Sequence, residues 1–173
     1  MTNISIFVDS LCETGKYFDE QFEGQICSRS AKITDFFLND NDIFPNSCLS
    51  NEDYSDIVIN LILCDDFKIH EINREYRKVD RPTDVISFAM FADSPKEERF
   101  IFDGEINLGD VFLSLETTQR QAKENNNSFE KEFYYLISHS ILHLFGFDHM
   151  DESERQEMEA LQNDILNELK IYR

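Results

Sequence analysis

Two kinds of hydrophobic pattern divide the chain into predicted strands and helices. Alternating apolar and polar residues, or a short run rich in Val, Ile and Leu, predict a strand. The run from Asp56 to Cys64 fits a strand at the centre of a sheet. Two later strand-like segments are separated by an acidic stretch and the Asp103-Gly104 turn, which favours a hairpin. The predicted strands are residues 3–8, 56–64, 84–91 and 105–114.

Apolar residues at helical spacing predict the remaining elements. From Asp66 onward the apolar period becomes helical, and Pro82 helps to close that segment. The last helix is predicted to begin with a capping box from Ser153 to Gln156. Its apolar stripe, typical of a face turned to the core, consists of Met158, Leu161, Ile165 and Leu169. The predicted helices are one or two within 13–38, one from 66, and then 115–125, 128–145 and 153–170, with a loop over 39–53.

The order of these elements indicates the fold class. Strands lie mostly early in the chain and helices mostly late, which predicts an α+β fold with a mixed β-sheet of about four to five strands flanked by helices. A chain of 173 residues is long enough to bury one core, and we find neither an internal repeat nor a convincing linker. We therefore expect residues 1–173 to form a single domain.

The apolar runs, the N-terminal residues and the cysteines together indicate the cellular compartment. The longest apolar stretches are much shorter than a membrane span, and the first ten residues lack the basic start and apolar run of a secretory signal. The four cysteines are scattered and form no CxxC pair, so we expect reduced thiols rather than disulfides or a thiolate zinc site. These observations predict a cytoplasmic protein without a membrane partner.

Three of the four histidines fall within eleven residues, as His-Ser-Ile-Leu-His-Leu-Phe-Gly-Phe-Asp-His. On a helix, His139 and His143 lie about 40° apart around the axis and about 6 Å apart along it, so both imidazoles face one ion. Taken singly, each histidine fits a helix cap or a core contact. Clustered at this spacing, they predict a metal site, whereas His70 stands apart and is predicted to be a surface residue.

The third histidine requires the helix to end. A continuous helix would point His149 about 120° away from His143. Gly146 is placed where a left-handed residue ends a helix, and the chain beyond it is long enough to turn back. Three imidazoles leave one tetrahedral position for water, which is the pattern of catalytic zinc, and zinc lowers the pKa of such a water to about 7. We predict one Zn²⁺ per chain, held by His139, His143 and His149.

The spacing HxxxHxxGxxH also occurs in metzincin proteases, in which a Glu follows the first histidine and serves as general base. Here that position is Ser140. A serine hydroxyl does not perform the proton transfer of a carboxylate at neutral pH, so a metzincin-like metalloprotease is the weaker alternative.

The histidine segment resembles the YbeY family of bacterial endoribonucleases, whose signature is close to HGxLHLxGYDH. Two departures are visible, because Ser140 stands where the family usually has Gly and Phe147 where it usually has Tyr. The resemblance extends from about Val58 to Leu169 and leaves the first fifty residues unexplained. Further matching blocks are Ile72-Asn73, Tyr76-Arg77, Asp80, Pro82 to Phe88, and Leu108 to Val111.

This resemblance implies a zincin-like metal-binding helix in a cleft, and single-strand-specific, metal-dependent endoribonuclease activity. It implies a role in maturation of the 3′ end of 16S ribosomal RNA and in ribosome quality control, with small-subunit ribosomal proteins and the GTPase Era as partners. It also implies that Arg77 is the catalytic arginine of the cleft. A planar guanidinium suits the charge of a phosphoryl transition state.

The net charge of −19 is unusual for a protein that binds RNA, so phosphate contacts must be local. Arg77, Lys78 and Arg81 belong to a basic stretch and are candidate substrate-binding residues, but acids are interspersed there, and on charge alone a solvated mixed helix face is favoured. Asp84 and Asp148 are candidates to orient a histidine or a water, or to form turns. A ribosome-associated binding protein with little catalysis remains an alternative, because an acidic chain suits a basic protein partner.

Overall fold

The computed structural model describes residues 1–147 and 151–172. The described chain is an α+β structure in which helices flank a four-stranded mixed sheet, as predicted. The strands are β1 (Asn3–Ser10), β2 (Asp56–Cys64), β3 (Val85–Phe88) and β4 (Glu105–Ser114). The helices are α1 (Glu20–Leu38), α2 (Ile43–Asn46), α3 (Asp66–Ile72), α4 (Met90–Asp93), α5 (Leu115–Glu124), α6 (Phe129–Leu144) and α7 (Glu152–Glu168). A π-turn spans Asn73–Arg77, and a 3₁₀ turn spans Lys96–Glu98.

The sheet has the strand order β1-β2-β4-β3. β1 pairs with β2 and β2 with β4 in parallel, whereas β3 runs antiparallel to β4 with Val85 opposite Leu113. The run from Asp56 to Cys64 therefore forms an interior strand, and the two later strands pair with each other, as their patterns predicted. β2 is apolar on both faces because helices cover both sides of the sheet.

Both faces of the sheet carry a hydrophobic core. The larger core packs β2 and β4 against α1 and α6 and includes the fully buried side chains Phe37, Phe133 and Tyr134. A smaller core lies between the opposite face and α3, where Ile69 and Ile72 contact Ile86. The histidine-bearing helix α6 is thus fixed on the face with the larger core.

The predicted strand 84–91 is too long, because β3 ends at Phe88 and the chain turns into α4. At that point the backbones of β3 and β4 approach closely, since a Cβ on Gly109 would lie 1.9 Å from the Phe88 carbonyl oxygen. Gly109 also has a φ of 139°, and it lies at the register shift in the pairing of β4 with β2. Helix α4 then buries Phe91, which a continued strand would have placed at the sheet edge.

Several helix boundaries differ from the sequence predictions. The capping box of α7 joins Asp151 and Glu154 rather than Ser153 and Gln156, because the helix begins two residues earlier than expected. The helix from Asp66 passes into the π-turn and ends at Lys78, which has a left-handed φ of 60°, so it closes before Pro82. The predicted loop over 39–53 contains the one-turn helix α2.

In residues 1–147 and 151–172, we find no helix with the length and apolar character needed to cross a membrane.

Candidate functional site

His139 and His143 converge near the carboxyl end of α6. They lie one turn apart, and their Nε2 atoms are 2.8 Å from each other. The two rings are nearly perpendicular, with centroids 4.5 Å apart. Helical geometry therefore brings both imidazole nitrogens to one point, as the four-residue spacing predicted.

The helix ends as the predicted glycine break requires. Gly146 has a φ of 100°, which is left-handed. The Gly146 N–H donates to the carbonyl of His143 at 2.9 Å, and the Phe147 N–H donates to the carbonyl of Leu142 at 3.1 Å. These two bonds form a Schellman motif. The Cys48 N–H, from the segment after α2, donates to the Phe145 carbonyl at 2.8 Å and so fixes the end of α6 from outside.

His139 is exposed, yet the surrounding protein displaces much of its water. Desolvation lowers the pKa of His139, the neighbouring His143 lowers it further, and Asp84 opposes both effects. A lowered pKa favours the neutral imidazole, which is the form that coordinates metal ions.

Ser140 faces the interior of the protein rather than the histidine pair. It is fully buried, and its hydroxyl donates to the Leu136 carbonyl at 2.8 Å within α6. The residue that occupies the position of the metzincin base is thus turned away from the histidine pair. Its hydroxyl proton is engaged in the hydrogen bond to Leu136.

The histidine pair lines a cavity of about 700 Å³. Arg77, the last residue of the π-turn, lines the same cavity, so the structure places the predicted arginine and the histidine pair on one recess. Lys78 and Arg81 are exposed, and neither lines this cavity. Lys78 instead donates to the Glu75 carbonyl at 2.8 Å.

Asp84 also lines the cavity and is held by three donors. The Val85 N–H and the Thr83 hydroxyl donate to its Oδ1 at 2.7 and 3.2 Å. Gln121 of α5 donates to its Oδ2 at 3.1 Å. The first two bonds belong to the turn that begins β3, so Asp84 has the structural role considered from the sequence, and it is also fixed within the cleft.

One wall of the cavity was missed by the sequence analysis, which assigned α7 to the core. A face of α7 lines the cavity at spacing i, i+3, i+4 and i+7, through Arg155, Met158, Glu159 and Gln162. The signal in the sequence is this second stripe, which lies beside the apolar one and shares Met158 with it.

The third predicted ligand, His149, and the candidate Asp148 lie outside the described residues. Within 1–147 and 151–172, no group of three or more His, Cys, Asp or Glu side chains is arranged to hold a metal ion. The described part of the chain thus contains two of the three predicted donors. His70, predicted to be a surface residue, is half-buried and pairs with Asp80 at 2.8 Å.

Comparison with known proteins gives one consistent result. A family model described as Endoribonuclease YbeY matches residues 30–170, which extends the similarity seen in the sequence back into α1. The endoribonuclease YbeY of Heliobacterium modesticaldum is 44% identical over 133 residues, covering 73% of this chain and 80% of the relative. That of Clostridium botulinum is 36% identical and covers 97% of this chain and 99% of the relative.

Among solved structures, the solution structure of TM1509 from Thermotoga maritima is similar, with a TM-score of 0.53. It is 22% identical in sequence and covers 95% of this chain and 91% of that one. This likeness supports the fold.

Proposed function

The chain belongs to the endoribonuclease YbeY family, and on that premise we propose that its cleft is a zinc-dependent site that cleaves single-stranded ribosomal RNA. The observation that carries this proposal is the convergence of the His139 and His143 nitrogens in a cavity that Arg77 also lines. Among the described residues, this arrangement combines a pair of metal-type donors with a phosphate-binding cation in one recess.

The donor pair fits a zinc ion. Two nitrogens of a tetrahedral zinc site lie about 3.3 Å apart, so the observed 2.8 Å separation needs only a small opening of the rings. His149 is the proposed third ligand, with one ion per chain on a zincin-like helix. When bound, zinc would supply Lewis acidity and a nucleophile drawn from water at neutral pH.

The protein's own side chains have separate roles in this proposal. Arg77 binds the scissile phosphate and stabilises charge that develops on its oxygens, because a guanidinium presents two parallel donors. Asp84, fixed by Val85 and Gln121, keeps a negative charge close enough to affect the pKa of His139. We assign it to orienting His139 rather than to the proton transfer itself.

The family supports the biological setting of the proposal. We propose that the chain acts in the cytoplasm on the 3′ end of 16S ribosomal RNA and in ribosome quality control, with small-subunit proteins and the GTPase Era as partners.

The protease alternative lacks support, because Ser140 is buried and bonded to Leu136. The alternative of a binding protein with little catalysis predicts ribosome association without RNA turnover.

The test is single-turnover cleavage of an RNA containing the 16S 3′ region. The zinc-loaded chain should cleave the single strand, and should cleave the same RNA much more slowly once it is annealed into a duplex. Chelation should abolish cleavage, and added zinc should restore it at about one ion per chain. Cleavage that persists after chelation, or no cleavage by the loaded chain, would contradict the proposal.

A further inference from the structure

The cavity-facing side of α7 is hydrogen-bonded to the helix that carries the histidines. Gln162 is 1% exposed, and its amide donates to the Tyr135 carbonyl at 3.2 Å and to the Ser138 hydroxyl at 3.0 Å. Ser138, fully buried, directly precedes His139. Because both bonds join α7 to the turn before His139, they set the position of the α7 face relative to His139.

Arg155 lies two turns before Gln162 on this face, toward the start of α7. Its side chain is 62% exposed and lies 3.7 Å from Glu152, which is itself 72% exposed. An exposed ion pair at this distance contributes little to stability, so Glu152 does not prevent the Arg155 guanidinium from binding another anion. Arg155 is therefore a cation at the rim of the cavity that remains able to bind an anion.

The charges around the cavity indicate that a second arginine is needed there to attract an RNA. The described lining residues include three carboxylates, Asp84, Asp93 and Glu159, and two permanently charged cations, Arg77 and Arg155. In a chain with a net charge of −19, one arginine beside three acids gives a polyanion little attraction. The second arginine reaches the same recess from a different element.

We propose that Arg155 is a second phosphate contact, binding the RNA backbone at a phosphate other than the one at Arg77. This inference rests on the proposed function and adds a substrate-binding residue to it. Arg155 contributes to affinity and to placement of the strand, whereas Arg77 acts at the reacting phosphate. The mixed charge of the α7 face, with Glu159 one turn beyond Arg155, limits how much RNA backbone this wall holds.

The experiment measures single-turnover cleavage of a single-stranded RNA against enzyme concentration at several salt concentrations, using the zinc-loaded protein. Arg155→Gln should raise the half-saturating concentration about tenfold, the loss expected for one charge-assisted contact. The slope of log affinity against log salt should fall by about 0.7, which corresponds to one phosphate on a single strand. The maximal rate should stay within about twofold of wild type, and Arg155→Lys should retain most of the salt slope because it keeps the charge.

Lys123→Gln is the matched control. It makes the same change in net charge at an exposed position on α5 outside the cavity lining, and it should behave as wild type. If Arg155→Gln matches Lys123→Gln in affinity and salt slope, or loses maximal rate alone, the inference fails while the proposed function stands. If the wild-type protein does not cleave RNA at all, the proposed function fails and the inference fails with it.

Discussion

At the scale of single residues, the role of Arg77 can be tested against a neighbouring arginine. It lines the cavity with the histidine pair, and its neighbour Arg74 is exposed on the same π-turn but does not line the cavity. Arg77→Ala should lower the maximal rate of single-turnover RNA cleavage about a hundredfold or more, because a donor to the developing charge is lost. Arg74→Ala makes the same change in net charge and should cleave at nearly the wild-type rate. Equal cleavage rates for the two variants would show that Arg77 has no specific role in the reaction.

Asp66 supports the structure through a partly buried hydrogen-bond network and makes stability depend on pH. Its Oδ1 accepts from the hydroxyls of Ser114 and Thr117 at 2.6 Å each, and its Oδ2 accepts from Arg120 at 2.8 Å. Burial raises the pKa of Asp66, but these hydrogen bonds outweigh burial and leave the pKa below its usual value. The network joins α3 to α5, which lies beside the cleft.

Because the folded pKa of Asp66 is lowered, its stabilising effect is present above the ordinary carboxyl pKa and is lost as pH falls through the folded value. Asp66→Asn should lower the free energy of unfolding near pH 7. The difference from wild type should shrink from about pH 5 downward through the ordinary Asp pKa of about 3.9, as measured by urea titrations at several pH values. Asp164→Asn, at an exposed position of α7, is the control and should show little difference at any pH. A difference for Asp66→Asn that does not vary with pH would exclude this linkage.

At the scale of elements, the end of α6 places the proposed metal site. Gly146 takes a left-handed φ that is strained for residues with a Cβ, although an added Cβ would meet only ordinary contacts with Ala92 and Cys48. Gly146→Ala should therefore destabilise the fold by about 1 to 2 kcal/mol in urea unfolding. It should also weaken zinc binding, because the chain leading to His149 starts there.

Gly24→Ala is the control for that variant. Gly24 lies within α1 with no neighbour within 4 Å of an added Cβ, so alanine should stabilise the helix by about 0.5 to 1 kcal/mol. If Gly146→Ala and Gly24→Ala shift the unfolding free energy in the same direction, the left-handed turn does not control the end of α6.

The sequence predicted the elements whose pattern reflects burial. The β2 run and the histidine-bearing helix were found because apolar periodicity follows the sheet and the core that they contact. The end of β3 was missed because it depends on the close approach at Gly109, which involves a residue twenty-one positions after Phe88. The capping box was misplaced by two residues because Asp151 and Ser153 both suit the start of a helix, and only the backbone geometry selects Asp151.

The sequence likewise predicted only part of the candidate site. His139, His143 and Gly146 lie close in sequence, so helical geometry alone brought them together. Arg77 was singled out through family resemblance, since its charge resembles that of its neighbours and only tertiary packing places it in the cavity. Arg155 belongs to the second stripe of α7, but the mixed polar residues of that stripe also fit a solvated helix face, so only the tertiary structure shows that Arg155 lines the cavity.

At the scale of the whole molecule, a net charge of −19 opposes binding to RNA, so affinity must come from the cleft. The sheet and its two cores fix α6 and the π-turn, and Gln162 fixes α7. Three separate elements thus bring the histidine pair, Arg77 and Arg155 to one recess within an otherwise acidic protein. The distribution of charge, rather than its total, is what permits an RNA substrate.

The most direct test is the rate at which His143→Ala, assayed with added zinc, cleaves single-stranded RNA, relative to wild type and to His70→Ala under the same conditions. His70 pairs with Asp80 and does not line the cavity, so its replacement should leave the rate within about twofold of wild type. We predict that His143→Ala loses cleavage by about a thousandfold or more, because the metal loses one of its proposed ligands. Cleavage by His143→Ala at the wild-type rate would show that this histidine pair does not hold the catalytic metal.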